Sequence, residues 1–452
     1  MVCLVPAHVG IFGWDPALGK ALGTRDRSPV GGHTLVVAFG SVVGRGKLLP
    51  DMKATQPDLH DLLVRGTDTV IDQPRLEAAL AAGAQTKKLR IKFGVDPTRP
   101  DLHIGHAVVL SKLRQFQDLG HTVIFLIGDY TTKIGDPSGR NQTRPMLSDA
   151  QIQANVKTYL EQVGRLLDVK KAEIRYNSEW LGALNFGQLI QLASNVSVAQ
   201  TIEREDFKQR LQAGSEIALH ELLYPLMQAY DSVALEADVE FGGSDQLFNL
   251  MAGRALQKKL GQVPQIVFTC QLLVGLDGVK KMSKSLDNYV GVADAPIDMY
   301  GKIMTLPDKL IAPYYELCTD IPLTTIAELV TTLAAGANPR DTKASLAHEI
   351  VARYHSPAAA GKAETDWNAT FRDRQGPAAG MVKPLLIDNH GATLAAVLLE
   401  HGLRASRSQI RTLIEQNGIR INGQSATSLD QAVKAGDELN IGKAEFYKLK
   451  NS

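Results

Sequence analysis

The feature that most constrains this chain is the stretch from Leu89 to Asp129, where a strand, a proline break, an amphipathic helix and a second strand follow one another. "LRIKFGVD" (Leu89 to Asp96) alternates apolar and polar residues like a strand, and Pro97 and Pro100 stop it. Val108, Leu110, Leu113, Phe116 and Leu119 then recur at helical spacing, which predicts a helix from about His103 to Leu119 that ends at Gly120. "HTVIFLIGD" follows as a nearly continuous apolar strand, the pattern of a strand covered on both faces. A strand, helix and strand in this order imply a parallel sheet with a right-handed crossover. Such sheets bind ligands beyond the carboxyl ends of their strands, so the chemistry belongs in the loops after these strands. Helical spacing upstream, from Asp58 to Ala82, predicts a further helix.

Composition bounds the rest. A chain of 452 residues with 44% hydrophobic and 21% charged side chains is that of a globular protein with several domains. A net charge of +1 excludes bulk attraction to nucleic acid, so any such contact must come from a local basic patch. Cys3, Cys270 and Cys318 are too far apart for a close-spaced zinc motif or a disulfide framework, which fits a reducing cytoplasm, and no apolar run approaches the roughly 20 residues of a membrane span. Residues 1–51 have no sustained helical period and no basic start before a continuous apolar core, so they do not read as a signal peptide. They are expected to be a poorly ordered extension, or else translation begins at Met52; mass spectrometry of the native N-terminus separates the two.

Two segments point to anion chemistry. "DLHIGH" places His103 and His106 on one face of the first helical turn, and Gly105 between them leaves the backbone open to close approach. A helix start favours anions through its free N–H groups, and two imidazoles add donors. Taken alone, the pair is more simply a surface turn with incidental histidines. "GVKKMSKSLDN" (Gly278 to Asn288) is a loop leaving an apolar run, with Lys281, Lys284, Ser283 and Ser285 able to hold a polyanion, though a lysine-rich loop alone is usually solvated surface. In "HELLYPLMQAYDSV", Tyr224, Gln228 and Asp231 fall on one helical face, apart from Leu222, Leu223, Leu226 and Met227. That stripe suits a polar aromatic ligand, with Asp231 for a phenol hydroxyl and Tyr224 and Gln228 for an ammonium. A capped surface helix explains the spacing equally well.

"HIGH" (His103 to His106) and "KMSKS" (Lys281 to Ser285), in this order, resemble the paired signature of the class I aminoacyl-tRNA synthetases. "DPTRPDLHIGH", "IGDPSGR", "YPLMQAYD" and "GGSDQ" resemble the tyrosyl branch of that family, over essentially Gln56 to Lys450. The resemblance implies an α/β chain with a Rossmann-like parallel-sheet catalytic domain at residues 52–290, carrying the KMSKS loop. It further implies a helical anticodon-binding domain at 291–375, a linker at 376–384 and a small α+β S4-like RNA-binding domain at 385–452.

The implied reaction activates L-tyrosine with ATP, accompanied by Mg2+ but without a dedicated protein metal site, and transfers tyrosine to tRNA(Tyr). The resemblance implies that Thr98 and His103 meet the γ-phosphate end of ATP and His106 its ribose or ring region, with Asp96 and Gly105 close by. Lys281, Lys284, Ser283 and Ser285 would meet the triphosphate and the leaving pyrophosphate. Gly243, Asp245 and Gln246 would line the ribose and the carboxylate of tyrosine. Asp136, Tyr224 and Gln228 would bind the tyrosine ammonium, and Asp231 the phenol hydroxyl. Many tyrosyl enzymes have a second phenol-binding tyrosine where this chain has Lys92. The absence of a large insertion between the two signatures fits the lack of an editing domain. This departure bears on the details of the pocket rather than on the substrate.

The C-terminal part reads independently as small and mixed. Ser406 suits a helix cap, Ile410, Leu413 and Ile414 face inward, and "GIRINGQ" turns at Asn422 and Gly423 like a hairpin. In the S4-like module it resembles, Arg407, Arg411, Arg420 and Lys443 would contact RNA phosphates; from Met381 on there are 9 basic and 7 acidic side chains, so the patch must be local. The family resemblance also implies a cytoplasmic homodimer. A tryptophanyl synthetase, a nucleotidyltransferase outside translation and a catalytically idle RNA-binding protein are the competing readings.

Overall fold

The computed structural model describes residues 59–98, 101–137, 147–373, 376–377, 379–388, 392–442 and 445–451. The expectations for residues 1–51 and for Lys443 lie outside the described residues. The predicted parallel sheet is present and has six strands: β1 (Thr67–Ile71), β2 (Arg90–Val95), β3 (Thr122–Ile127), β4 (Glu173–Tyr176), β5 (Val239–Gly243) and β6 (Ile266–Cys270). Their spatial order is β1-β6-β5-β2-β3-β4. All neighbours are parallel except β1, which runs antiparallel to β6 at the edge.

The helix expected over Asp58 to Ala82 is instead two helices, Leu59–Val64 and Gln73–Ala82, with β1 between them. Gly66, at a φ of 59°, turns the chain after the first helix, and the β-branched "TDTVI" extends beside β6. Its partner lies almost 200 residues downstream, as the Thr69 amide bond to the Thr269 hydroxyl (|i−j| 200) illustrates. A pairing over that separation leaves no local signal.

The crossover helix α1 spans Ile104–Asp118 and links β2 to β3, close to its predicted bounds. Further elements of this region are α2 (Asp149–Val163), α3 (Leu219–Ala234) and α4 (Leu247–Lys259). Phe116 of α1 meets Phe241 of β5 edge-on at 5.3 Å and Phe268 of β6 at 6.2 Å, and Phe241 stacks on Phe268 at 4.4 Å. All three rings are buried, and each such ring pair adds about 0.5–1.5 kcal/mol beyond burial alone. This cluster clamps α1 to the two strands whose order reverses relative to β2 and β3. The carboxyl ends of β2 and β5, at Val95 and Gly243, therefore lie side by side with the start of α1 next to them.

Beyond the sheet, residues 296–367 form helices Pro296–Met304, Ile311–Cys318, Leu323–Ala334, Pro339–Tyr354 and Pro357–Trp367. Buried Arg65 and half-buried Arg353 tie this helical block to the sheet region. Arg65 donates to the carbonyls of Glu316, Thr319 and Ile321, and Arg353 reaches the hydroxyl of Ser111 on α1 at 2.9 Å.

The C-terminal sheet has five strands, β7 (Val382–Ile387), β8 (Ile419–Ile421), β9 (Gln424–Ser425), β10 (Glu438–Ile441) and β11 (Glu445–Asn451), in the order β7-β11-β10-β8-β9. Asn422 (φ 49°) and Gly423 (φ 82°) make the expected two-residue hairpin turn, with both residues in the left-handed region. Helix α5 (Arg407–Glu415) is capped by Ser406, whose hydroxyl accepts from the Gln409 amide. Residues 382–384, within the expected linker, belong to edge strand β7, which tolerates Pro384 there.

Candidate active site

A cleft of about 780 Å³ opens at the carboxyl ends of β2 and β5, a volume suited to a nucleotide-sized ligand. Its walls come from β2, β5, the start of α1, the inward face of α3 and the loop around Lys281 to Ser285. It gathers Asp96, Thr98, His103, Gly105, His106, Asp136, Tyr224, Gln228, Asp231, Gly243, Asp245, Gln246, Lys281, Ser283, Lys284 and Ser285. Every sequence-predicted residue outside the C-terminal sheet thus lines one cavity.

One end is basic. The imidazoles of His103 and His106 lie with ring centroids 3.8 Å apart, and the His103 amide donates to His106 Nδ1 at 3.2 Å. A Cβ on Gly105 would come within 2.9 Å of His103 Nδ1, so glycine is required for this ring placement. Burial first, then the neighbouring His106 and Lys284, holds His103 down at about 2; burial likewise lowers His106 to about 4. Both rings are therefore neutral near pH 7 and act as hydrogen-bonding groups, while positive charge is left to the lysines.

Lys281 Nζ lies 2.7 Å from Asp245, and Lys284 Nζ lies 2.5 Å from Asp101 and over the Tyr289 ring at 5.4 Å. The Ser283 and Ser285 hydroxyls are 2.9 Å apart. Asn288 ties the base of the loop, accepting from the Ser283 amide at 2.7 Å and donating to Asp277 at 2.8 Å. Asp101, Asp277 and Asn288 were not singled out in the sequence, because their roles come from contacts made across the loop and to the start of α1.

The other end is acidic. Tyr224 donates its hydroxyl to Asp96 at 2.9 Å, and Thr131 donates to the second Asp96 oxygen at 2.8 Å. A Cβ on Gly128 would fall 2.2 Å from that Asp96 oxygen, so this position admits only glycine. Asp136 accepts from Gln246 at 2.7 Å and from Arg204 at 3.4 Å. Gln228 Nε2 lies 3.4 Å from Glu240.

Asp231 accepts from the Trp180 indole at 2.8 Å and from Asn177 at 3.3 Å. Burial, the largest cause, raises its carboxyl to about 7, against the opposing pull of Lys92 and of these two donors. Burial and the nearby Asp96 and Asp136 push the Tyr224 phenol well above its usual range, so it remains a donor. Asn177 and Trp180 were missed because a single Asn or Trp after a strand carries no distinctive pattern.

In the C-terminal sheet region, Arg407, Arg411 and Arg420 are exposed, and Arg407 pairs with Asp430 at 2.8 Å. They are not part of the cleft.

Comparison with known proteins gives two family matches: tRNA synthetases class I (W and Y), over residues 84–372, and the S4 domain, over residues 393–439. The chain is 47% identical to the tyrosine–tRNA ligase of Moorella thermoacetica, over 86% of this chain and 94% of that one. It is 49% identical to the tyrosine–tRNA ligase of Bordetella bronchiseptica, over 89% and 98%. Among solved structures, a C-terminally truncated mitochondrial tyrosyl-tRNA synthetase of Aspergillus nidulans superposes with a TM-score of 0.56 at 23% identity, over 69% of this chain and 94% of that one. This last similarity is one of fold.

Asp231 supplies a pH test independent of activity. Its carboxyl is higher in the folded chain than in the unfolded one, so its contribution favours folding at low pH and is lost as pH rises through about 7. Asp231→Asn should therefore gain stability relative to the parent between pH 5 and pH 8, by about 2–3 kcal/mol. Chemical denaturation at the two pH values measures this difference, and a difference that shrinks or stays constant contradicts it.

Proposed function

The chain belongs to the tRNA synthetases class I (W and Y) family and functions as a tyrosine–tRNA ligase, and from this we propose that its cleft binds tyrosine at the Asp231 end and ATP at the lysine end. The observation that carries this reading is the convergence on one cavity of a buried carboxylate, Asp231, and of two histidines and two lysines at its opposite end.

Asp231 accepts the phenol hydroxyl of tyrosine, while Asp136, Tyr224 and Gln228 hold its α-ammonium. Gly243, Asp245 and Gln246 line the ribose and the tyrosine carboxylate. A tyrosine carboxylate oxygen attacks the α-phosphorus of ATP, forming the acyl-phosphate bond, and the bond to the bridging oxygen of pyrophosphate breaks. Negative charge accumulates on the departing pyrophosphate, so cations placed there favour the transition state over bound ATP. Lys281 and Lys284 supply those cations, and Thr98, His103, Ser283 and Ser285 supply donors.

The pairing of the two lysines with Asp245 and Asp101 supports this role, since a triphosphate offers them a stronger partner than either carboxylate. Asp96 and Gly105 shape the nucleotide side, and neutral His106 meets the ribose or ring. A 3′-terminal ribose hydroxyl of tRNA(Tyr) then attacks the acyl carbon and AMP leaves. Mg2+ enters with ATP as part of the substrate.

The proposed extents are a catalytic domain at 52–290, an anticodon-binding domain at 291–375, a linker at 376–384 whose last three residues already pair in β7, and an RNA-binding domain at 385–452. Arg407, Arg411, Arg420 and Lys443 contact tRNA phosphates in this reading; the match to the S4 domain supports it. Among the described residues no helix is long and apolar enough to cross a membrane, and the enzyme is proposed to act in the cytoplasm.

Homodimer formation is supported by apolar side chains left open to solvent, Phe186 at 77%, Val198 at 63% and Leu219 at 75%. Sedimentation should give a dimer, and Phe186→Lys should shift it toward monomer; a parent chain that sediments as a monomer contradicts the proposal.

Pyrophosphate exchange into ATP, run separately with tyrosine, phenylalanine and tryptophan, tests the substrate. Exchange is expected with tyrosine alone, and Lys284→Ala should lower it by about 10²–10³-fold, the usual loss when one transition-state charge contact is removed. Exchange driven by tryptophan would overturn the tyrosine reading.

A further inference from the structure

Beneath the hydroxyl end of the cleft lies an ion pair shielded from water. Lys92 of β2 and Glu240 of β5 are separated by 2.8 Å, with side chains 0% and 1% exposed. Lys92 Nζ also donates to Ser232 Oγ at 2.9 Å and to the Gln228 carbonyl at 3.1 Å, so all three ammonium protons have acceptors. Glu240 is equally occupied, accepting from Ser232 at 2.9 Å, from Gln265 and from Gln228 at 3.4 Å.

A pair this deeply buried contributes little net stability, because desolvation offsets the attraction. Its position is more informative. It joins the two switch-point strands to α3 on the turn that carries Gln228 and Asp231, and all four side chains line the same cleft.

We propose that Lys92 and Glu240 are positioning residues for the hydroxyl end of the substrate: they fix the Gln228–Ser232 turn of α3 and supply the local field in which Asp231 accepts the phenol hydroxyl. This rests on the assignment of Asp231 to that hydroxyl. Lys92 has no proton left for a substrate, so it acts through Asp231. The groups facing Asp231 are Lys92 from β2, Glu240 from β5, and Trp180 and Asn177 from the segment after β4. On α3 itself Tyr224 is the titratable neighbour, bonded to Asp96.

The two charges act on Asp231 in opposite senses. Lys92 favours its ionised form and is the stronger of the two, whereas Glu240 disfavours it. An ionised carboxylate has lone pairs for the substrate hydroxyl beyond those given to Trp180 and Asn177; a protonated one has fewer. A site that holds a hydroxyl rejects the ring lacking it, a rule for which tyrosyl enzymes are the known instance.

The test uses the full-length enzyme and measures kcat/KM for tyrosine and phenylalanine in pyrophosphate exchange from pH 6 to pH 9. The variants are Glu240→Gln, the double variant Lys92→Gln with Glu240→Gln, and Asp231→Ala. The double variant leaves no lone buried charge, which protects folding, and Glu240→Gln keeps an amide in the same place.

The double variant should lower the tyrosine-to-phenylalanine ratio by roughly tenfold or more. It should also move the pH profile for tyrosine upward, while Glu240→Gln moves it downward, with KM for ATP unchanged in both. A merely structural pair would lower the melting temperature without these opposed shifts. Wild-type ratios and profiles in both Gln variants, with discrimination lost in Asp231→Ala, overturn this proposal and leave the Asp231 assignment standing. Unchanged discrimination in Asp231→Ala as well overturns both.

Discussion

Parallel strands β2 and β5 lie side by side, yet the chain leaves them toward opposite edges of the sheet, β2 to β3 and β5 to β6. No connection can cover the gap between their carboxyl ends, so a crevice is left there. The Phe116, Phe241 and Phe268 cluster holds α1 against β5 and β6 beside that crevice. The N-terminus of α1, with its histidines, and the turn after β5, with Gly243 and Asp245, meet across it as a result.

Charge in the cleft is distributed by solvation. His103 and His106 are buried and kept neutral, so the positive charge sits on Lys281 and Lys284, whose long side chains reach across from a tethered loop. At the opposite end Asp231 is buried so deeply that its ionisation falls near neutrality, and its bonds to Trp180 and Asn177 work against that burial. In the proposed reading, one end thus answers to polyanionic phosphate, and the other to a neutral hydroxyl. The transfer reaction needs both, because the attacking carboxylate must be held between a recognised side chain and a stabilised leaving group.

The chain's own variation on this plan lies under the acidic end. Where Lys92 stands, its ammonium is taken up by Glu240, Ser232 and the Gln228 carbonyl. Such a cluster is stable only if every member is satisfied, which links β2, β5 and α3 into one unit. The turn of α3 that carries Gln228 and Asp231 is held by that unit.

Local chemistry made much of this legible. The alternation of "LRIKFGVD" and the continuous apolar run of "HTVIFLIGD" announced two strands of a parallel sheet, the second because a strand covered on both faces must be apolar throughout, and the Tyr224, Gln228 and Asp231 stripe announced a polar face on α3 because helical spacing is fixed. Asn422 and Gly423 announced their hairpin, because a two-residue turn needs positive φ at both positions. Strand β1 was hidden inside a helical pattern, since its partner β6 is remote in sequence. For the same reason Asp101, Asn177, Trp180 and Glu240 could not be recognised as neighbours of Lys284, Asp231 and Lys92. Residue types and their local spacing were enough to say which side chains could carry the chemistry and which elements would hold them; partners and protonation states came with the packed fold, because burial and distance arise when remote segments meet.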